Sequence, residues 1–225
     1  MPRLGVVGSL VWDTIHGPDG GKPFNDWGGI AYSLAAWEAA AQPGWSVVPI
    51  VKVGADLREA ADRFLATLGG VSSTEFVCTV PESNNRVDLF YHDRSRRCER
   101  LTGGVPGWTA GEIERAALSC DALYVNFISG WELDLEAASV LERSFSGPSW
   151  CDIHSLILGI GGDGVREPRP LANRAEWLGA FDLVQANEDE LEMLSPSVPS
   201  RRSRMEDVLS EGPDGVFVTL GSAGV

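Results

Sequence analysis

Hydrophobic and polar positions along the chain fall into short runs that change period. The runs Leu4–Val11, Val47–Val51, Thr74–Val80, Ala122–Asn126, Trp150–Ile153, Leu183–Gln185 and Val216–Thr219 are rich in apolar and β-branched residues. Several lack alternation, which suits strands covered on both faces of a parallel sheet. Amphipathic stretches with helix-boundary signals lie between them. Ile30–Ala41 follows a Gly-Gly pair. Leu57–Leu68 has Asp56 as N-cap, Glu59 three residues on and Gly69 as a stop. Thr109 with Glu112, and Asn173 with Glu176, repeat that capping arithmetic. The alternation predicts one α/β domain over residues 1–225, a doubly wound and mostly parallel sheet flanked by helices.

Two stretches break the rhythm. Residues 14–27 are rich in Gly, Pro and Asp, and within residues 86–102 the run Arg86–Tyr91 alternates like an exposed strand. A turn signal, His92-Asp93-Arg94-Ser95, and a second polar strand follow. Both stretches are expected to project from the main sheet as small β segments. Ser195–Arg204, with its Pro, Ser and Arg, is expected to be a surface loop.

Charge narrows the function classes. A formal net charge of −14 and a pI near 4.6 argue against a broad nucleic-acid surface. Arg94, Arg96, Arg97 and Arg100 then read as a solvated hairpin face. The four cysteines, Cys78, Cys98, Cys120 and Cys151, form no Cys-x-x-Cys motif and are expected to be reduced thiols. No secretory signal follows Met1 and no apolar stretch is long enough to span a bilayer, so a cytoplasmic protein with no membrane partner is expected.

Three motif matches fail on their chemistry. Gly159–Gly164 fits G-x-G-x-x-G, but Pro168 and Pro170 follow where a dinucleotide fold needs a helix, so a mobile loop is expected and nicotinamide chemistry is disfavoured. His16–Pro23 resembles a phosphate loop but has Pro23 in place of Ser or Thr. Asp152-x-His154 could hold a metal, yet the sequence offers no third ligand.

The remaining signals form an ordered set. Gly8–Asp13 puts a carboxylate at the C-terminal end of the first strand, the edge where parallel α/β sheets bind ligands. Gly28-Gly29 opens a helix and lets backbone N–H groups approach a ligand. Asn187 with Glu190 is a capping pair that could also face phosphates and hold Mg²⁺ through water. Val216–Gly224 is a strand feeding a glycine turn.

Together with Val53-Gly54-Ala55-Asp56, these motifs resemble, in type and order, the ribokinase/PfkB carbohydrate kinase family over Leu4–Val225. The resemblance implies a ribokinase-like fold with a β-lid made by residues 14–27 and 86–102, a surface that also serves dimers in many relatives. It implies ATP-dependent phosphoryl transfer to a hydroxyl of a sugar, polyol or nucleoside. Asp13, Gly28, Gly29 and Ser33 would face the acceptor. Asn187, Thr219, Gly221 and Gly224 would face ATP, and Glu190 the Mg²⁺ ion. Ser33 stands where many relatives carry Asn, and Val125–Gly130 lacks the sugar-contacting Glu of some. The family's Gly-Ala-Gly-Asp segment, with its general-base Asp, would lie beyond Val225, and without it these residues alone are expected to be inactive. A sheet lacking its last elements is also expected to expose apolar surface. A non-catalytic sugar- or nucleotide-binding relative is the alternative.

Overall fold

The computed structural model describes residues 1–40, 42–92 and 97–225, with the backbone alone for Arg97. The chain runs β1 (Arg3–Val7), β2 (Leu10–His16), β3 (Phe24–Gly29), α1 (Ile30–Ala40), β4 (Ser46–Gly54), α2 (Arg58–Leu65) and β5 (Val77–Val80). It continues through β6 (Arg86–Tyr91), β7 (Arg97–Thr102), α3 (Ala110–Ala117), β8 (Ala122–Asn126), α4 (Leu135–Ser144) and β9 (Ser149–Asp152). A 3₁₀ turn at His154–Ile157 leads to β10 (Leu158–Ile160), β11 (Arg166–Pro168), α5 (Arg174–Gly179), β12 (Leu183–Asn187), α6 (Glu188–Leu194), α7 (Arg201–Leu209) and β13 (Gly215–Thr219).

The main sheet has seven strands in the order β13-β12-β9-β8-β1-β4-β5. Every pairing in it is parallel. All C-terminal strand ends therefore share one edge. β4 is buried at every position, Ser46 and Lys52 included, around the apolar run Val47–Val51. On one face Val6, Val51 and Val53 pack against Ile30 and Leu34 of α1 and Ala61 and Leu65 of α2. On the other, Val7, Ile50, Val125 and Val184 pack against Ile113, Ala137, Leu191 and Val208 of α3, α4, α6 and α7. Among the described residues no helix is long and apolar enough to cross a membrane.

A second sheet, β3-β2-β6-β7, stands on the C-terminal edge of the first. β2 is antiparallel to β3 and parallel to β6, and β6 is antiparallel to β7. Two fully buried asparagines tie its root down. Asn84 accepts from the Gly54 N–H (3.0 Å) and donates to the Leu10 carbonyl (2.9 Å). Asn85 donates to Ser129 Oγ (2.8 Å), and its carbonyl accepts from the Trp12 N–H (3.0 Å).

Several local expectations are corrected. The run Leu4–Val11 is not one strand. It breaks at Gly8-Ser9, where Ser9 turns its carbonyl to the Ile30 N–H (3.1 Å), so Asp13 lies within β2 of the second sheet. Asp56 does not cap α2. Its carboxylate takes the Asn84 N–H (2.8 Å) and Arg86 (2.7 Å), and the helix starts with Leu57 at the N-cap and ends at Leu65. Asn173 is left-handed (φ 55°) and bonds Glu176 side chain to side chain, without capping α5. Ser195–Arg204 is not all loop. Ser200 Oγ accepts from the Ser203 N–H (3.1 Å) and starts α7. In the run 159–164, expected as a loop throughout, Gly159 and Ile160 belong to β10 and the rest turns the β10–β11 hairpin; as expected, no helix opens directly after it. Ala41, expected to end α1, and Asp93–Arg96 lie outside the described residues, as does the Arg97 side chain.

Candidate functional site

Successive strand residues point to opposite faces, so Val11, Asp13 and Ile15 of β2 share a face with Val87, Leu89 and Tyr91 of β6. Glu99, opposite Leu89 on β7, joins them. These side chains, with Gly29, Tyr32, Ile128 and His154, line a cleft of about 350 Å³ between the two sheets. Asp13 is 6% exposed in this largely apolar wall. Its carboxylate sits tightly over Gly28, where a Cβ would lie 1.9 Å from Asp13 Oδ2. Gly29 adopts φ 59°, and a Cβ there would meet the Ser9 carbonyl at 2.6 Å. Both glycines are thus required by close approach, and the second also by its left-handed backbone. Ser33 is not part of the cleft wall. Its Oγ lies 3.3 Å from Asn126 Nδ2, over the parallel sheet, while its neighbour Tyr32 lines the cleft.

The phosphate-side candidates gather along the same edge. Asn187 ends β12 and caps α6: its Oδ1 accepts from the Glu190 N–H (2.9 Å), and Glu190 Oε2 accepts from the Asn187 N–H (2.7 Å). Glu190 Oε1 meets His154 Nδ1 at 3.1 Å. His154 thereby touches both halves: it lines the cleft that holds Asp13 and bonds the carboxylate at the start of α6. Thr219 is the register partner of Asn187 across β12–β13. Gly221 (φ 57°) and Gly224 (φ 97°) follow it, and a Cβ at either would meet nothing within 4 Å. The turn closes on itself, with the Leu220 N–H on the Gly224 carbonyl (2.7 Å) and the Gly224 N–H on the Gly221 carbonyl (3.2 Å).

Charge is concentrated around His154. Burial works against its imidazolium, but the hydrogen bond and charge of Glu190, with Asp152 and Glu99, outweigh it and raise its pKa. Burial pushes the Asp152 carboxyl up to about 6; the charge of His154 opposes that rise and that of Glu190 adds to it. Asp152 also accepts from Gln185 Nε2 (2.7 Å) and from the Tyr124 hydroxyl (3.4 Å). Beside them Asn126 Oδ1 is buried with no hydrogen-bond partner among the described residues.

Asp152, His154 and Glu190 are neighbours. Even so, no group of three or more His, Cys, Asp or Glu side chains among the described residues could hold a metal ion. A protein-only metal cage does not fit here. One carboxylate at the phosphate side fits an ion carried in on phosphates, which is how Mg²⁺ is often held.

Sequence reasoning missed Glu99, and named His154 only in an Asp-x-His pair. A second polar strand was expected there, but which of its residues turn inward depends on the pairing of β7 with β6. It also missed Glu132, buried beyond the middle strand, which accepts from Ser9 Oγ (2.7 Å) and from the Ser129 and Gly130 N–H groups. Glu132 holds the loop that follows β8.

The sequence matches no family model, and no curated protein matches it. Solved structures do match. One is a pyrophosphate-dependent kinase in the ribokinase family, complexed with a pyrophosphate analog and myo-inositol. It is 15% identical at a TM-score of 0.77, over 97% of this chain and 73% of that one. Ribokinase from Thermotoga maritima matches at 18% identity and a TM-score of 0.72, over 98% and 72%. Arabidopsis thaliana ribokinase, complexed with ribose and ATP, matches at 17% and 0.71, over 98% and 72%. The fold is ribokinase-like.

Proposed function

From this ribokinase-like fold and its cleft we propose an ATP-dependent phosphotransferase that phosphorylates a hydroxyl of a sugar, polyol or nucleoside. One observation carries the reading: His154 joins the Asp13 cleft to Glu190, so an acceptor pocket and a phosphate-side carboxylate meet at one sheet edge. That edge is where parallel α/β sheets bind ligands. Asp13 orients acceptor hydroxyls by accepting their hydrogen bonds. Val11, Ile15, Val87 and Leu89 keep water, a competing acceptor, from the reacting hydroxyl. The second sheet acts as the lid. Asn187, Thr219 and the Gly221–Gly224 turn hold the donor's phosphate end, with Glu190 as the Mg²⁺-side carboxylate. Glu190 would hold Mg²⁺ through water, and the ion would supply neutralisation of phosphate charge. The matched structures support this by what they contain, myo-inositol in one and ribose with ATP in another. The same reading puts a dimer contact on the outer face of the lid, where Phe90 is 40% exposed and stacks on His16.

No side chain of this chain is given the general-base role; a Gly-Ala-Gly-Asp segment would supply it. A non-catalytic binder is the second reading, favoured by the fact that both Glu190 oxygens are already in protein hydrogen bonds. The test is a panel of sugars, polyols and nucleosides with ATP or pyrophosphate as donor, on this chain and on a gene product extended through Gly-Ala-Gly-Asp. The kinase reading expects Mg²⁺-dependent phosphorylation by the extended protein and none measurable by the 225 residues. Acceptor binding without turnover in both selects the binder, and binding of no acceptor by either overturns both readings.

A further inference from the structure

The glycine-rich run 159–164 has no part in the cleft, yet its last glycine is tightly placed. Gly164 is left-handed (φ 85°), and a Cβ there would lie 2.7 Å from the Leu101 carbonyl. The Leu101 N–H donates to the Gly164 carbonyl (2.8 Å), and Arg100 forms an antiparallel bridge with Val165. The β10–β11 hairpin therefore pairs with β7, an edge strand of the second sheet. Its return strand carries Arg166 to the other side. There Nη1 donates to the Ser129 carbonyl (2.8 Å) and Nη2 reaches the Ser155 carbonyl (3.4 Å). Ser129 follows β8 and Ser155 follows β9, so both belong to the edge of the parallel sheet. Gly130, left-handed at φ 92°, lets these two loops close up, since a Cβ there would lie 2.4 Å from the Ser155 carbonyl. Arg166 also interacts favourably with the charges of Glu99, next to the bridged Arg100, and of Glu132. Its Nε is buried without a hydrogen-bond partner among the described residues. A part-buried guanidinium that holds two loop carbonyls while its Nε goes unmet is poorly explained by stability alone.

We propose that the β10–β11 hairpin is a strap and Arg166 its positioning residue. Together they fix β7, and with it Glu99, against the rim, so the cleft is formed before a ligand arrives. The idea rests on the kinase reading only for what the cleft receives. The strap itself is tested without ligand, by amide hydrogen exchange on the full 225-residue chain and its Arg166→Ala variant. The expected result is exchange about tenfold faster or more across β7 and the hairpin, with β1, β4 and β8 unchanged. Arg166→Lys, which keeps the charge and one carbonyl contact, should restore much of the protection. Unchanged exchange in β7 overturns the proposal, and so does a uniform rise through the parallel sheet, the sign of a merely structural residue. If Arg166→Ala fails to fold, Gly164→Ala breaks the strap from the lid side and must show the same local pattern. Failure here leaves the phosphotransferase reading standing, and failure of that reading leaves the strap.

Discussion

Asp13 and Gly28 show how a site can be written in sequence as two separate signals and joined only by the fold. A carboxylate after the first strand and a Gly-Gly pair before a helix were both visible. Their contact was not, because it depends on the β2–β3 register that sets Val11 opposite Gly28 and Asp13 opposite Asp26. Glu99 and His154 were harder still to see, since each gains its meaning from a neighbour distant in sequence. The Asp13–Gly28 contact gives a sharp expectation. Gly28→Ala would put a methyl group into the Asp13 carboxylate, so that side chain must leave its place. Overpacking of this kind costs about 1–3 kcal/mol, which denaturant unfolding would measure. Acceptor binding found in the panel should weaken about as much as in Asp13→Asn. Gly21→Ala is the control: a Cβ there meets nothing within 4 Å, so its stability should stay within about 0.5 kcal/mol of the parent. A Gly28→Ala protein with unaltered stability and binding would mean that the carboxylate has room to move.

At the scale of elements, capping arithmetic succeeded where the carboxylate kept its bond to the cap backbone alongside its other partner, Lys52 for Glu112 and His154 for Glu190. Asn187 with Glu190 forms its box, and Glu112 accepts from both the Thr109 N–H (2.9 Å) and its hydroxyl (2.9 Å). Asp56 failed because the root of the second sheet, through Asn84 and Arg86, claims its carboxylate. A long-range partner of that kind has no local signature. Glu112 has one too: Lys52 Nζ reaches it at 2.9 Å while sitting over the Trp108 ring. The Lys52 hydrogen bond first, then the Thr109 N–H, hold the Glu112 carboxyl down from 4.5 to about 2. A depressed folded-state pKa stabilises above the unfolded value, and the gain disappears as pH falls from 4.5 towards 2. The side chain is 38% exposed, so solvent screens much of the effect. Glu112→Gln should therefore lower stability at neutral pH and flatten the acid limb of the stability profile across that window. Thermal melts at a series of pH values would show it; parallel acid limbs in the two proteins would remove Glu112 from the account.

For the whole molecule, the apolar runs predicted the parallel sheet well, because a strand covered on both faces must be apolar throughout. They did not say which part of the sheet each helix would cover. β8, β9, β12 and β13 turn Val125, Cys151, Val184 and Val218 to the face packed by α3, α4, α6 and α7. Their other face carries Tyr124, Trp150, Leu183 and Phe217. With Trp37 and Trp45 beside them, Tyr124, Trp150 and Leu183 line an apolar groove of about 460 Å³. Trp150 and Phe217 stack at 5.0 Å, and Phe217 remains 38% exposed. Contiguous aromatic surface of this kind drives association when nothing covers it. Its strand edge adds to the hazard, because β13 ends the seven-stranded sheet. The 225-residue chain should therefore self-associate as its concentration rises, more strongly at high salt, where repulsion between chains of net charge −14 is screened. Phe217→Lys places a charge at the β13 end of the patch, against Trp150, on the face opposite Val216 and Val218. It should weaken association about tenfold or more in sedimentation velocity, with thermal stability little changed. Equal association by both proteins would move the sticky surface elsewhere, with the exposed Phe90 face of the second sheet the next to test by the same substitution.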